Sequence, residues 1–114
     1  MTKQELNEKL IDLYGLKHLF QTFAGFDENR NILYGYMQII DDSARMFDLM
    51  IEHDIFLDFF WDNINEVKPK YYTARQKGVF RSVDMIFLKD HETPQAAARY
   101  AIAMALVKLA ESKS

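Results

Sequence analysis

A chain of 114 residues, 49% apolar and 14% aromatic, is sized for one domain with a substantial core, which excludes disorder along most of its length. The absence of cysteine rules out disulfides, thiolate zinc sites and cysteine nucleophiles, and fits a reducing compartment. A formal net charge of -3 gives no overall pull toward nucleic acid or anionic membranes. The start, Met1 to Glu5, lacks an apolar leader core and no apolar run reaches spanning length, so the expectation is a cytoplasmic protein without a membrane partner.

Thr2 followed by Glu5 reads as a capping box opening a helix that carries Leu6, Leu10, Ile11 and Leu13, ended or bent at Gly15. Leu16, Leu19, Phe20 and Phe23 continue at helical spacing and predict a second short helical piece. Gly25 to Asn31 reads as a turn or exposed loop. Asn31 to Ile40 is ambiguous between a strand and an extended lead-in, with Gly35 weakening both. Residues 1–40 are therefore expected to be helical and irregular. Asp41 or Asp42 caps a helix reaching about His53, with Met46, Leu49 and Met50 as its apolar stripe, widened by Phe47 and Ile51.

Ile55 to Trp61 is short, β-rich and aromatic, and predicts a strand. Asn63 to Pro69 is a loop. Tyr71 to Arg75 and Val79 to Leu88 predict two strands joined around Gln76-Lys77-Gly78. Thr93 caps and Pro94 opens a final alanine-rich helix. Its Ala97, Ala101, Met104 and Ala105 permit close approach to a sheet, and Leu106 and Leu109 extend the apolar surface. The fold class that follows is α/β (α+β): a single layered domain over residues 1–114, with an antiparallel three-stranded sheet flanked by helices and a helix-strand-strand-strand-helix core over 41–112. The block Phe56, Phe59, Phe60 and Trp61 mixes both strand faces. Helices on both sides would make it core, the favoured reading, whereas a bare face would call for a homodimer to cover it.

No residue set supplies recognisable catalytic chemistry. His18, His53 and His91 lie outside metal-ligand spacing, the four glycines are isolated rather than gathered in a phosphate loop, and no serine sits in a nucleophile elbow. The expectation is no catalytic residue, no metal and no cofactor. Charge is segregated instead: acids dominate Asp41 to Glu66, and bases dominate Lys68 to Lys89. Mutual attraction of neighbouring elements is the plainer reading; steering of an oppositely charged partner is the sharper one. The candidate binding residues are Lys68, Lys70, Tyr71, Tyr72, Arg75, Lys77 and Arg81, where bases alternate with aromatics. Such a pattern serves base stacking with phosphate neutralisation, a lysine-guarded edge strand, or a protein-binding edge.

Two helical segments resemble a known family. Asp42-Ser43-Ala44-Arg45-Met46-Phe47-Asp48-Leu49-Met50 is similar to the Asp-x-Ala-x-x-Trp-Glu-Val-Val helix opening of the phage "ABA sandwich" family. Thr93-Pro94-Gln95-Ala96-Ala97-Ala98-Arg99-Tyr100-Ala101-Ile102 is similar to that family's Pro-Glu-Ala-Ile-Cys-Arg-Ala-Ala-Leu closing signature. Asp42, Ala44, Pro94, Ala96, Arg99 and Ala101 match, Phe47 stands for the tryptophan and Asp48 for the glutamate, and Tyr14-Gly15-Leu16 is similar to the family's Met-Gly-Trp. The resemblance implies an α-β-α layered phage or prophage accessory protein that binds a host protein, with a defence component as the candidate target. A small nucleic-acid-binding module is the alternative.

Overall fold

The computed structural model describes residues 1–63, 65–78 and 84–112. In chain order the elements are α1 (Lys3–Leu13), α2 (Lys17–Phe20), β1 (Gln21–Phe26), β2 (Ile32–Tyr36), α3 (Ser43–Glu52), β3 (Ile55–Phe60), β4 (Tyr71–Gln76), β5 (Ile86–Phe87) and α4 (Pro94–Ser112), with 3₁₀ turns at Ile39–Asp41 and Leu88–Asp90.

Side-chain caps set where the three long helices begin. The Thr2 hydroxyl accepts from the Glu5 amide at 3.1 Å, the Asp42 carboxylate from the Arg45 amide at 3.1 Å, and the Thr93 hydroxyl from the Ala96 amide at 3.0 Å. Each satisfies an amide that the helix itself leaves without a partner. On α3 the buried stripe is Met46 and Leu49, with Met50 half-buried. Phe47 and Ile51, expected to widen it, point outward instead, because each lies about 100° further round the helix than Met46 or Met50.

β3, β4 and β5 form an antiparallel sheet in that order. Phe59 pairs with Tyr72 and Tyr72 with Ile86. The three-stranded antiparallel sheet with packed helices is therefore the one expected. Of the Val79 to Leu88 strand, Ile86 and Phe87 are extended and Leu88 enters a turn, while 79–83 lie outside the described residues. α4 lies over the face bearing Ile55, Ala74, Tyr72 and Ile86, all buried. Its Ala97 and Ala101 are buried as the alanine stripe predicted, and Ala105 is half-buried. α1 and α3 pack on other flanks of α4, so Ile102, Ala103, Leu106 and Val107 are buried as well. A helix enclosed on several sides is apolar nearly all round.

The N-terminal part departs most from expectation. The short helical piece ends at Phe20, and Phe23 lies on a strand. β1 and β2 pair antiparallel as a separate two-stranded hairpin. Its turn is built by Asp27, whose carboxylate accepts from the amides of Asn29 at 2.9 Å and Asn31 at 2.8 Å, with Arg30 taking φ of 61° to close it. The register shifts between Phe23 and Gly25, a bulge made at Gly25 with φ of 112°, where glycine bears no Cβ penalty. The hairpin root is tied down: Met37 N–H donates to the Phe20 carbonyl at 2.8 Å. The buried Asn7 side chain donates to the Met37 carbonyl at 3.0 Å and accepts from the Ile40 amide at 3.3 Å. The rest of the hairpin projects as an arm. The molecule measures 58 × 30 × 23 Å with a radius of gyration of 16.0 Å, against about 13 Å for a compact chain of this length.

Candidate functional site

With helices over one face, no helix covers the other face of the β3–β4–β5 sheet among the described residues; Phe56 and Phe60 on it are exposed, Tyr71, Arg75 and Phe87 half-buried and Thr73 buried. Strand alternation decides which residues occupy it. β3 sends Phe56, Asp58 and Phe60 there, β4 sends Tyr71, Thr73 and Arg75, and β5 sends Phe87; the facing pairs are Phe56 with Arg75, Asp58 with Thr73, Phe60 with Tyr71, and Tyr71 with Phe87. The expectation that the aromatic block is core therefore fails. Phe56, Phe59, Phe60 and Trp61 are all exposed; the uncovered face accounts for Phe56 and Phe60, whereas Phe59 lies opposite Tyr72 on the helix side near the end of β3 and Trp61 follows the strand.

The open face is a connected row of rings. Phe60 and Tyr71 stack at 4.9 Å with 11° between their planes, and Tyr71 meets Phe87 at 5.4 Å. Lys89 Nζ stands 5.6 Å from the Phe87 ring centroid. At the other end the Arg75 guanidinium lies 5.5 Å from the Phe56 ring centroid, with Nε 3.3 Å from an Asp58 oxygen. A planar cation held between a ring and a carboxylate is fixed in orientation, as guanidinium chemistry favours.

The seven candidate binding residues do not form one surface. Tyr71 and Arg75 share the open face. Tyr72, one residue on, points to the opposite face and is only 6% exposed; burial there pushes its hydroxyl pKa up. Lys70 pairs with Asp62 at 2.8 Å, and that hydrogen bond and charge raise its pKa. Lys68 and Lys77 are exposed beyond opposite ends of β4, a strand that alone spans about 20 Å. Arg81 lies outside the described residues. Two pairs join the acidic and basic segments, Asp58 with Arg75 and Asp62 with Lys70. Phe56, Phe60 and Phe87 complete the row and were not among the sequence candidates. The two-residue alternation of β3 puts Phe56 and Phe60 on one face, whereas Phe87 joins them only through the pairing of β5 with β4.

A second concavity, about 650 Å³, opens between the start of α1, β5 and the first turns of α4 and is lined by Lys3, Asp41, His91, Arg99 and Tyr100 among others. Lys3 pairs with Asp41 at 2.6 Å, and Arg99 Nη1 donates to Ser43 Oγ at 2.9 Å. Burial holds the His91 pKa below its usual value, its ring 4.9 Å from that of Tyr100. His53 packs edge-on against Tyr14 at 4.8 Å, and His18 is exposed on α2. Among the described residues no three acidic or histidine side chains converge to hold a metal ion, and no helix is long and apolar enough to cross a membrane.

The chain matches no protein-family model, no curated protein and no solved structure.

Proposed function

We propose that this chain is a non-enzymatic accessory protein of phage or prophage origin that binds and modulates a host protein, a defence component being the candidate target, through the open face of its sheet. The observation that carries the reading is the ring row Phe60–Tyr71–Phe87, exposed at Phe60 and half-buried at Tyr71 and Phe87, bordered by a guanidinium already held by Asp58. Aromatic side chains and arginine are the anchors that protein interfaces favour. The phage origin rests on the Asp42 and Pro94 segments described above.

A nucleic-acid reading has one observation in its favour: stacked rings with Lys89 beside Phe87 resemble a base-stacking platform. It is disfavoured because Arg75 and Lys70 would have to leave Asp58 and Asp62 to reach phosphates. Pull-down from host lysate, with and without nuclease, separates the two. The expected result is a protein retained after nuclease and high salt and lost with Phe60→Glu. Recovery of nucleic acid alone, released steeply as salt rises, would overturn the protein reading, because phosphate-driven affinity follows counterion release.

A further inference from the structure

β3 forms one edge of the larger sheet and keeps unbroken register with β4, without a proline or a bulge. The Asp54 and Phe60 carbonyls accept from the Lys77 and Lys70 amides at 2.8 and 2.7 Å. The even-numbered residues of this segment therefore turn their backbone groups toward β4, and the odd-numbered ones turn theirs away, because successive residues of a strand alternate. The N–H and C=O of Leu57 and Phe59 point to the outer edge, where no described strand pairs with them. Such a row is a template for another strand.

Asp58 decides which strand. It is the one charge on β3 and stands on the open face between Phe56 and Phe60, its side chain 39% exposed and its Oδ2 met by Arg75 Nε at 3.3 Å. A second copy of this chain does not fit the edge. A twofold antiparallel pair that sets Leu57 beside Phe59 of the copy also sets Asp58 directly against Asp58, and like charges so placed are destabilising. The neighbouring registers set the carboxylate against a Phe56 or Phe60 ring instead.

We infer that the sheet takes its partner by strand addition: an extended segment of another protein lies antiparallel along the outer edge of β3. It carries a lysine or arginine opposite Asp58 and apolar residues two positions to either side, opposite Phe56 and Phe60. The inference rests on the reading of the sheet as a protein-binding surface and adds how the partner is held. Opposite residues on one face have Cβ atoms about 4.5–5.5 Å apart. The cation therefore reaches the carboxylate, and the apolar side chains lie along the flanks of two exposed rings. Main-chain bonds to Leu57 and Phe59 supply affinity, and the three side chains supply selectivity.

A surface-displayed library of random peptides of about 12 residues, long enough to span β3, tests this by selection on the whole protein. Enriched sequences should read apolar–x–basic–x–apolar, and selection on Asp58→Lys should replace the basic position with Asp or Glu. A synthetic copy of an enriched peptide should lose at least about fivefold in affinity when its basic residue becomes Glu. Backbone pairing has its own readout, made on the unaltered protein. N-methylation of the two residues flanking the basic one removes the N–H groups that face β3 and should weaken binding at least about tenfold. N-methylation of the basic residue, whose N–H faces away, should leave binding unchanged. No enrichment, enrichment without a basic position, the same sequences on Asp58→Lys, or equal effects at the two kinds of methylated site would each overturn strand addition. A host protein lost with Phe60→Glu yet retained with Asp58→Lys would overturn strand addition alone and leave the open face as the binding surface.

Discussion

Two antiparallel sheets share this chain, and they are stabilised in opposite ways. The β3–β4–β5 sheet has one face sealed by α4, so Ile55, Tyr72, Ala74 and Ile86 are buried with Leu6, Leu10 and Leu106 in one cluster. The β1–β2 arm has the same pairing and comparable aromatic content, yet among its strand residues the half-buried Tyr36, at its root, is the one that packs on that cluster. The difference teaches that backbone pairing does not make a core. What distinguishes the sheets is whether a helix with small side chains can lie close against them, which Ala97 and Ala101 permit for one and nothing among the described residues supplies for the other.

That contrast can be broken most decisively at the centre of the core. Leu10→Ala should destabilise the chain by about 2–5 kcal/mol, whereas Phe26→Ala should move core unfolding by about 0.5 kcal/mol or less. Urea melts compare them directly, and equal losses would mean that the arm packs on the core. Next in size, Ala101→Leu should overpack the contact between α4 and the sheet at a cost of about 1–3 kcal/mol; an unchanged melting temperature would place that helix face in solvent. Asn7→Ala should cost a similar 1–3 kcal/mol by stranding the Met37 carbonyl and the Ile40 amide. Hydrogen exchange should then quicken at Ile40 and spread into the arm, and exchange confined to α1 would deny Asn7 its role as the join.

Smaller effects sharpen the surface side of the comparison. A double-mutant cycle on Asp58 and Arg75 should return about 0.2–1 kcal/mol, as for a partly exposed pair. A much larger coupling would mean that the open face is shielded from water. The smallest effect is a pH dependence. Burial lowers the His91 pKa below its ordinary 6.5 in the folded chain, so the native state resists protonation. Stability is complete above pH 6.5, declines as the pH falls through that value, and levels off below the folded-state pKa. His91→Gln should flatten thermal stability between pH 7 and 5, and an unaltered slope would assign the effect to other groups.

The parts of the fold legible from residues alone are those with local causes. Thr2, Asp42 and Thr93 mark helix starts because each cap is completed within three residues, and the aromatic and β-branched content of β3 shows without its partner. The arm was obscured by its own bulge. One inserted residue sets Phe23 and Phe26 three apart, and with Leu19 and Phe20 ahead of them the spacing mimics a helix, so the strand period of two is hidden. At the candidate site, interleaved bases and aromatics suggested one surface. A strand sends Tyr71 and Tyr72 to opposite faces, and only pairing with β3 and β5 brings Phe60 and Phe87 to Tyr71. That pairing is a long-range fact which no local pattern carries.

The hydrogen bond from the Tyr14 hydroxyl to the Leu106 carbonyl, at 2.6 Å, spans 92 positions of sequence, and this separation orders events during synthesis. At about 5–20 residues per second, α1 waits roughly 5–18 s for the segment it packs against. Over most of that interval the arm is already translated, and a hairpin can form within about 10 μs. The nascent chain therefore displays its aromatic face well before it owns a core.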